Sequence, residues 1–380
     1  MTTNLPNPNL PDRGLQLKST LAADGTLRLA LAEVPVAQPG DDQIVVRVEA
    51  APINPSDLMT LFAAGDPNAA RFDGDGAQLT VSPADVALRS GRVGQPVPIG
   101  LGGAGTVIAA GKEAEHLIGK NAAFLSMAAG SFSQYVTVGL ADCAALPDGV
   151  SPGEGADVYC NPMTALAMTE QVRLEGENAL IHTAAASNLG QMLVRICRED
   201  GMGLVNVVRR QEQVDLLKGL GAEHVCNSSA PSFAEDLRAA ITATGATIAF
   251  DAIGGGDSVA MLHRAMEDVA VAKLGFYSPY GSFAPKQVFI YGHLDPAPVV
   301  LHGGYGMDWT VRQWAMPQTL ARVGPERAAA MQQRILAGLK TTFASHFGHE
   351  ISLAQALQRE AMLDYAKLGT GAKYLINPTL

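Results

Sequence analysis

Between residues 178 and 210 the apolar pattern changes period twice. Ala179–His182 is a short apolar run, the mark of a buried strand. From Leu189 the apolar positions are Leu189, Met192, Leu193, Ile196 and Cys197, spaced i, i+3, i+4, i+7, i+8, which predicts a helix. Leu204–Val208 (LVNVV) predicts a second strand. The alternation then continues. Gln213–Leu220 reads as helix, 221–227 as a turn and third strand, and Phe233–Thr242 as helix. Ile248–Ile253 (IAFDAI) reads as strand, Ser258–Met266 as helix, and Val269–Leu274 as a fifth strand running into Gly275-Phe276-Tyr277-Ser278. Gln287–Tyr291 gives a sixth strand at the edge. Strands alternating with helices predict a parallel, doubly wound α/β sheet.

The chain before residue 157 has the other period. Leu27–Leu31, Ile44–Val48 (IVVRV), Phe124–Ser126 and Phe132–Val138 read as strands, separated by turn signals such as Pro39-Gly40. Ala51–Asp57 (APINPSD) is a turn before a short helical stretch, Leu58–Ala64. Residues 65–98 read as an irregular lobe or lid, and Gly100–Gly105 as a bend between strands. Val158–Val172 predicts a helix leading into the strand at Ala179. In the tail, Asp308–Ala315 reads as a helix start, Arg327–Ala344 and Leu353–Ala366 as helices, and Lys373–Ile376 as a last strand rejoining the first domain. The division is therefore a β-rich domain over 1–157, completed by 319–380, and an α/β domain over 158–318.

Composition narrows the class. A length of 380 residues fits two domains, and 47% hydrophobic with 17% charged residues fits a compact soluble protein. The net charge of −10 argues against nucleic acid or an anionic membrane as main partner. No apolar run reaches spanning length, and the start (MTTNLPNPNLPDR) carries no signal-peptide core, so a cytosolic location and a loose N-terminal arm are expected. Cys143, Cys160, Cys197 and Cys226 form no C-x-x-C pair; they suit free thiols, not a zinc lobe or a disulfide framework.

The chemistry concentrates at Ala185-x-Ser187-x-x-Gly190, where a dinucleotide turn would stand between strand and helix. Small residues let the backbone approach a pyrophosphate, Gly190 lets the helix pack close, and the helix N-terminus offers N–H groups to the phosphates. About twenty residues on, an NAD-selective fold wants a carboxylate for the ribose 2′-OH. Arg209 and Arg210 stand there and suit a 2′-phosphate, so NADP(H) is the expected cofactor; solvated charges at a strand end are the plainer alternative. Strand C-ends carry ligands in such sheets, so the loops at 183–190, 252–256 and 275–278 should converge on the cofactor. Asn54 offers a hydrogen bond to a carbonyl, and Asp57 either a helix cap or a proton relay.

Together the motifs carry a resemblance. They are Asn54-Pro55-Ser56-Asp57, Asn161-Pro162-x-Thr164-Ala165, the Ala-x-Ser-x-x-Gly-Gln turn and Val207-Val208-Arg209, then Leu220-Gly221-Ala222-Glu223-His224-Val225, Ala252-Ile253-Gly254-Gly255 and Gly371-Ala372-Lys373. The chain resembles the medium-chain dehydrogenase/reductase superfamily, in its zinc-independent branch of quinone oxidoreductases and 2-enoyl thioester reductases. The resemblance implies a GroES-like β-rich catalytic domain, a Rossmann nucleotide-binding domain, and a homodimer extending its sheets edge to edge. It implies that Ala185, Ser187, Asn188, Leu189 and Gly190 meet the pyrophosphate, and that Arg209 meets the 2′-phosphate. Ala252, Ile253, Gly254, Phe276 and Tyr277 would line the nicotinamide side, with Thr164 and Lys373 also near the cofactor.

The zinc ligands of related dehydrogenases are absent: Asp57 and Gly100-Leu101-Gly102 stand where a Cys and a Gly-His-Glu would be, so no catalytic metal is expected. Met59 stands where quinone reductases of this type carry a tyrosine, and the first tyrosine is Tyr135. The activity implied is hydride transfer from NADPH to a small electrophilic acceptor, a quinone or another conjugated carbonyl. The alternatives are a trans-2-enoyl thioester reductase and a non-catalytic NADPH-binding protein.

Overall fold

The computed structural model describes residues 10–367 and 373–380. Met1–Asn9 of the expected arm, and Gly371 and Ala372 of the closing motif, lie outside the described residues. Two compact units form: Met1–Cys160 with Ile335–Leu380, and Asn161–Arg334.

Unit 2 is the doubly wound part. Among the described residues its sheet has six strands in the order 224–227, 203–208, 179–183, 248–251, 286–290, 309–313, every pair parallel. Numbered along the sheet, this is the 3-2-1-4-5-6 order of dinucleotide-binding folds, with its switch point between Ala179–Thr183 and Ile248–Asp251. The central strand is buried along its whole length, as a parallel strand covered on both faces must be. Ile181, Val205, Val207, Ala249, Leu262, Val288 and Ile290 make its core.

Three expectations are corrected here. Val269–Leu274 is not a strand: helix Ser258–Ala272 runs through it, because the buried stripe Val259, Leu262, Met266, Val269 keeps the helical period. The fifth strand is Lys286–Ile290, which lies inside the sheet. Its opening lysine hides the strand signal, and that lysine is buried at 2.8 Å from Glu267. Asp308–Ala315 holds not a helix start but the edge strand Trp309–Gln313.

Unit 1 is β-rich. One sheet orders 71–72, 76–80, 26–35, 13–21 and 96–98, all antiparallel. The other is built on Gln43–Pro52, which pairs with Gly102–Ala110, Tyr135–Gly139 and, at Pro52 and Ala51, with Tyr374–Ile376. The expected return of the tail to this domain is thus a strand pairing. Gly105 is required there, since a Cβ would lie 2.9 Å from the Arg47 carbonyl carbon of the neighbouring strand. The lobe at 65–98 joins the first sheet through Gly76–Thr80 and Pro96–Pro98, so it is less irregular than its turn residues suggest.

The units divide at Cys160 and Ile335, where the sequence reading put 157 and 319. The later return has an electrostatic cause. Helix Met316–Ala337, broken by Gly324 at φ 81°, binds unit 2 through Arg322–Glu175 (2.9 Å), Arg327–Glu170 (2.7 Å) and Arg334–Asp200 (2.8 Å). It starts before the predicted Arg327, and Leu353–Ala366 splits into Leu353–Ala356 and Arg359–Tyr365.

Candidate functional site

In unit 2 the turn after Ala179–Thr183 is built from small residues. Ala184 takes φ +50°, and Ala185 and Ala186 are buried. Ser187 caps helix Asn188–Asp200, its Oγ accepting from the Gly190 N–H at 3.2 Å. Gln191 Nε2 ties the helix back to the Ala186 carbonyl at 3.1 Å. A Cβ on Gly190 would lie 2.6 Å from the Ala185 carbonyl carbon, so only glycine fits beneath this turn. The first-turn N–H groups and the helix dipole give its mouth a partial positive charge. Leu189 is buried against the core, and Asn188 is half-buried at the mouth.

Arg209 and Arg210 are exposed just past strand Gly203–Val208, their backbone N–H groups both donating to Gln213 Oε1 at 3.1 Å. Among the described residues neither guanidinium enters an ion pair. The turn and the arginines thus sit at the C-ends of adjacent strands, as the sequence predicts. Thr164, in helix Asn161–Leu174, is half-buried, its hydroxyl 3.9 Å from Met316 Sδ.

Across the switch point, Ala252, Ile253 and Gly254 follow strand Ile248–Asp251. Gly254 takes φ +78°, and a Cβ there would lie 2.6 Å from the Gly292 carbonyl oxygen. Phe276 and Tyr277 do not join them. They lie in the loop after helix Ser258–Ala272 and are 68% and 89% exposed. Loop 275–278 is expected from the sequence to leave a strand end, but it follows a helix, and the loop that does leave a strand end begins at Tyr291. Tyr291 Oη and His182 Nε2 share a hydrogen bond of 2.7 Å, and burial lowers the imidazole to about 3, so His182 is a neutral packing residue. The sequence reading missed Asp251 and Tyr291; a lone aspartate inside IAFDAI was the available signal for the first.

Unit 1 holds a separate polar cluster. Asn54 caps helix Pro55–Phe62 and is 4% exposed. Asp57, 1% exposed, accepts from the Asn54 N–H at 2.7 Å and from the Leu101 N–H at 2.9 Å. It therefore binds the Asn-Pro turn to the glycine bend. Burial raises its carboxyl to about 7 against these two hydrogen bonds. Lys373 Nζ donates to Asp157 Oδ2 at 2.7 Å, lies over the Phe347 ring at 5.3 Å, and shares Asp157 with Ser345 Oγ at 3.1 Å. The Cys160 thiol is raised well above its ordinary value, by burial first and then by Asp157 and Asp57.

A family model described as zinc-binding dehydrogenase matches residues 189–280. A mycocerosic acid synthase-like polyketide synthase of Mycobacterium tuberculosis is 29% identical over 219 residues, 55% of this chain and 10% of that protein. The mitochondrial enoyl-[acyl-carrier-protein] reductase of Bos taurus is 29% identical over 200 residues, 51% of this chain and 48% of the enzyme. The chain thus matches about half the length, or less, of these curated relatives. A solved structure of a candidate NADPH:quinone reductase from Mesorhizobium loti superposes with a TM-score of 0.72 at 26% identity, over 97% of this chain and 99% of that one. Among the described residues, no group of three His, Cys, Asp or Glu is placed to hold a metal ion. Among them, too, no helix is long and apolar enough to cross a membrane.

Proposed function

As a member of the medium-chain dehydrogenase/reductase superfamily, this chain is, we propose, an NADPH-dependent reductase of quinones or other conjugated carbonyls. The observation that carries the reading is the pairing, at adjacent strand ends, of a turn that only glycine can floor with two exposed arginines. NADP(H) is the cofactor, and when bound it supplies the hydride. The chain's own part is to bind and orient. The N-terminus of helix Asn188–Asp200 neutralises the pyrophosphate, and Arg209 with Arg210 selects the 2′-phosphate. Ala252–Gly254 forms the wall on the nicotinamide side.

In unit 1, Asn54 is the donor we assign to the acceptor's carbonyl oxygen, and Asp57 holds its turn in place. A quinone suits this chain because its reduced oxygens take protons from water, so the absent tyrosine is not needed. The enoyl thioester reading is favoured by the likeness to the bovine enzyme, but it needs a proton donor at carbon. Asp57 holds a proton near neutrality, yet both its oxygens are engaged and it is buried. Strand Trp309–Gln313, which ends the sheet, is the edge we assign to a homodimer.

The test is NADPH oxidation followed by absorbance against a naphthoquinone and a short trans-2-enoyl thioester, with NADH alongside. Turnover of the quinone with NADPH supports the proposal. Turnover of the thioester alone replaces it by the second reading, and NADPH binding without oxidation of either leaves a binding protein.

A further inference from the structure

At the switch point the sheet joins the two strands, and side chains join the loops that follow them. Backbone pairing between strands Ala179–Thr183 and Ile248–Asp251 covers Ile181 with Ala249 and His182 with Phe250, and stops before either loop begins. From there the joint is a polar hub. Thr183, 1% exposed, donates from Oγ1 to Asp251 Oδ1 at 2.6 Å and accepts on the same oxygen from the Ala252 N–H at 2.8 Å. Asp251, fully buried, also accepts on Oδ1 from the Ile253 N–H at 3.2 Å and from Ser258 Oγ at 2.9 Å. Its Oδ2 accepts from the Gly254 N–H at 3.0 Å. All four partners of this carboxylate are donors, so its acceptor capacity is spent on one loop, one threonine and the first residue of helix Ser258–Ala272.

Each loop also has its own supports. Ser187 and Gln191 hold the turn, and Asp251 holds Ile253 and Gly254. Among the described residues, only the Thr183 hydroxyl spans from the residue before Ala184 to the loop opposite. We propose that Thr183 is a positioning residue that locks the two loops into one spacing, so that a dinucleotide reaching both is met by a preformed site. The proposal rests on the nucleotide reading above. It assigns Thr183 no contact with the ligand. Its effect is preorganisation, which a ligand touching one loop does not feel.

This separation makes it testable by direct binding to the full-length chain. The probes are NADPH, which reaches both loops, and adenosine 2′,5′-bisphosphate, which carries the arginine-binding end alone. Thr183→Val keeps the shape and removes the hydroxyl. The expected result is a loss of about tenfold in NADPH affinity, with the bisphosphate changed by less than about twofold, the size of one buried hydrogen bond. Thr183→Ser restores the hydroxyl and should bring NADPH back to within about threefold of the wild type. Equal losses for both probes, or an unchanged NADPH affinity, overturn the proposal. Should the valine variant not fold, Thr183→Cys, a weaker donor, must show the same selectivity for NADPH in smaller measure; equal loss again overturns it. A wild-type chain that binds neither probe overturns the nucleotide reading itself, an outcome distinct from the others.

Discussion

Gly190→Ala puts a methyl group where the structure has no space. The new Cβ would stand 2.6 Å from the Ala185 carbonyl carbon and 2.9 Å from its Cα, both backbone atoms of a buried residue. Real Cβ contacts stay beyond 3.0 Å, so the turn itself has to move. Moving it strains two bonds, Ala185 N–H to the Val207 carbonyl at 3.2 Å and Gly190 N–H to Ser187 Oγ at 3.2 Å. Overpacking costs ~1–3 kcal/mol, and a weakened cap adds ~1 kcal/mol. The expected destabilisation of unit 2 is therefore about 2–4 kcal/mol, a fall in Tm of roughly 5–15 °C. Both tryptophans, Trp309 and Trp314, lie in this unit, so tryptophan fluorescence reports its melting. Gly219→Ala is the matched control. It ends helix Gln211–Gly219 with nothing within 4 Å of the new methyl, and should be neutral or stabilising by up to ~1 kcal/mol. NADPH affinity, measured by titration, should fall at least about tenfold in the first variant and stay level in the second. If Gly190→Ala melts within about 1 °C of the wild type and binds NADPH as tightly, the tight-turn argument is wrong.

Arg209→Ala should weaken NADPH binding by about 10–150-fold and NADH binding far less, the range of a charge-assisted hydrogen bond; calorimetric titration with equal losses for both would remove the 2′-phosphate assignment. Asp57 has a folded-state pKa of about 7 against an ordinary 3.8, so the folded chain binds the extra proton. Its stabilising contribution is full below 3.8 and is lost as pH rises through 7. Asp57→Asn should therefore flatten the dependence of unit 1 stability on pH in that window, read by circular dichroism in urea; an unchanged slope contradicts the assignment. Lys286→Met leaves Glu267 buried without its cation and should cost ~3–5 kcal/mol, while Lys286→Met with Glu267→Leu should recover much of it. Urea unfolding of both variants checks this, and equal stability of the single and double variants counts against a paired burial.

What the sequence made legible was whatever a single period encodes. Helix Asn188–Asp200 and strand Gly203–Val208 each bury one uninterrupted pattern, and both are read close to their true limits. Reading fails where one element's pattern mimics another's. Val269-Ala270-Val271-Ala272 suits a strand by residue type, but it prolongs the buried stripe of the helix before it. The true strand, Lys286–Ile290, opens on a charge that becomes intelligible only beside Glu267, a partner distant in sequence. The site divides in the same way. Gly190 and the arginines follow from local spacing, whereas the Thr183–Asp251 hub joins two strands that only the folded sheet brings together. Asp57 was legible as a capping residue of its helix, and its second bond, to Leu101, was not.

The pairing of Tyr374–Ile376 with Gln43–Pro52 has a consequence for biosynthesis. Unit 2 is one continuous stretch, Asn161–Arg334, and all its strands have left the ribosome before residue 374 is made. Unit 1 at that moment lacks the strand Tyr374–Ile376 and has an unfilled place beside Ala51 and Pro52. The nascent chain therefore completes its second unit before its first, against the usual N-terminal-first order. During that interval strand Gln43–Pro52 keeps an unpaired edge at Ala51–Pro52, open to pairing with another chain.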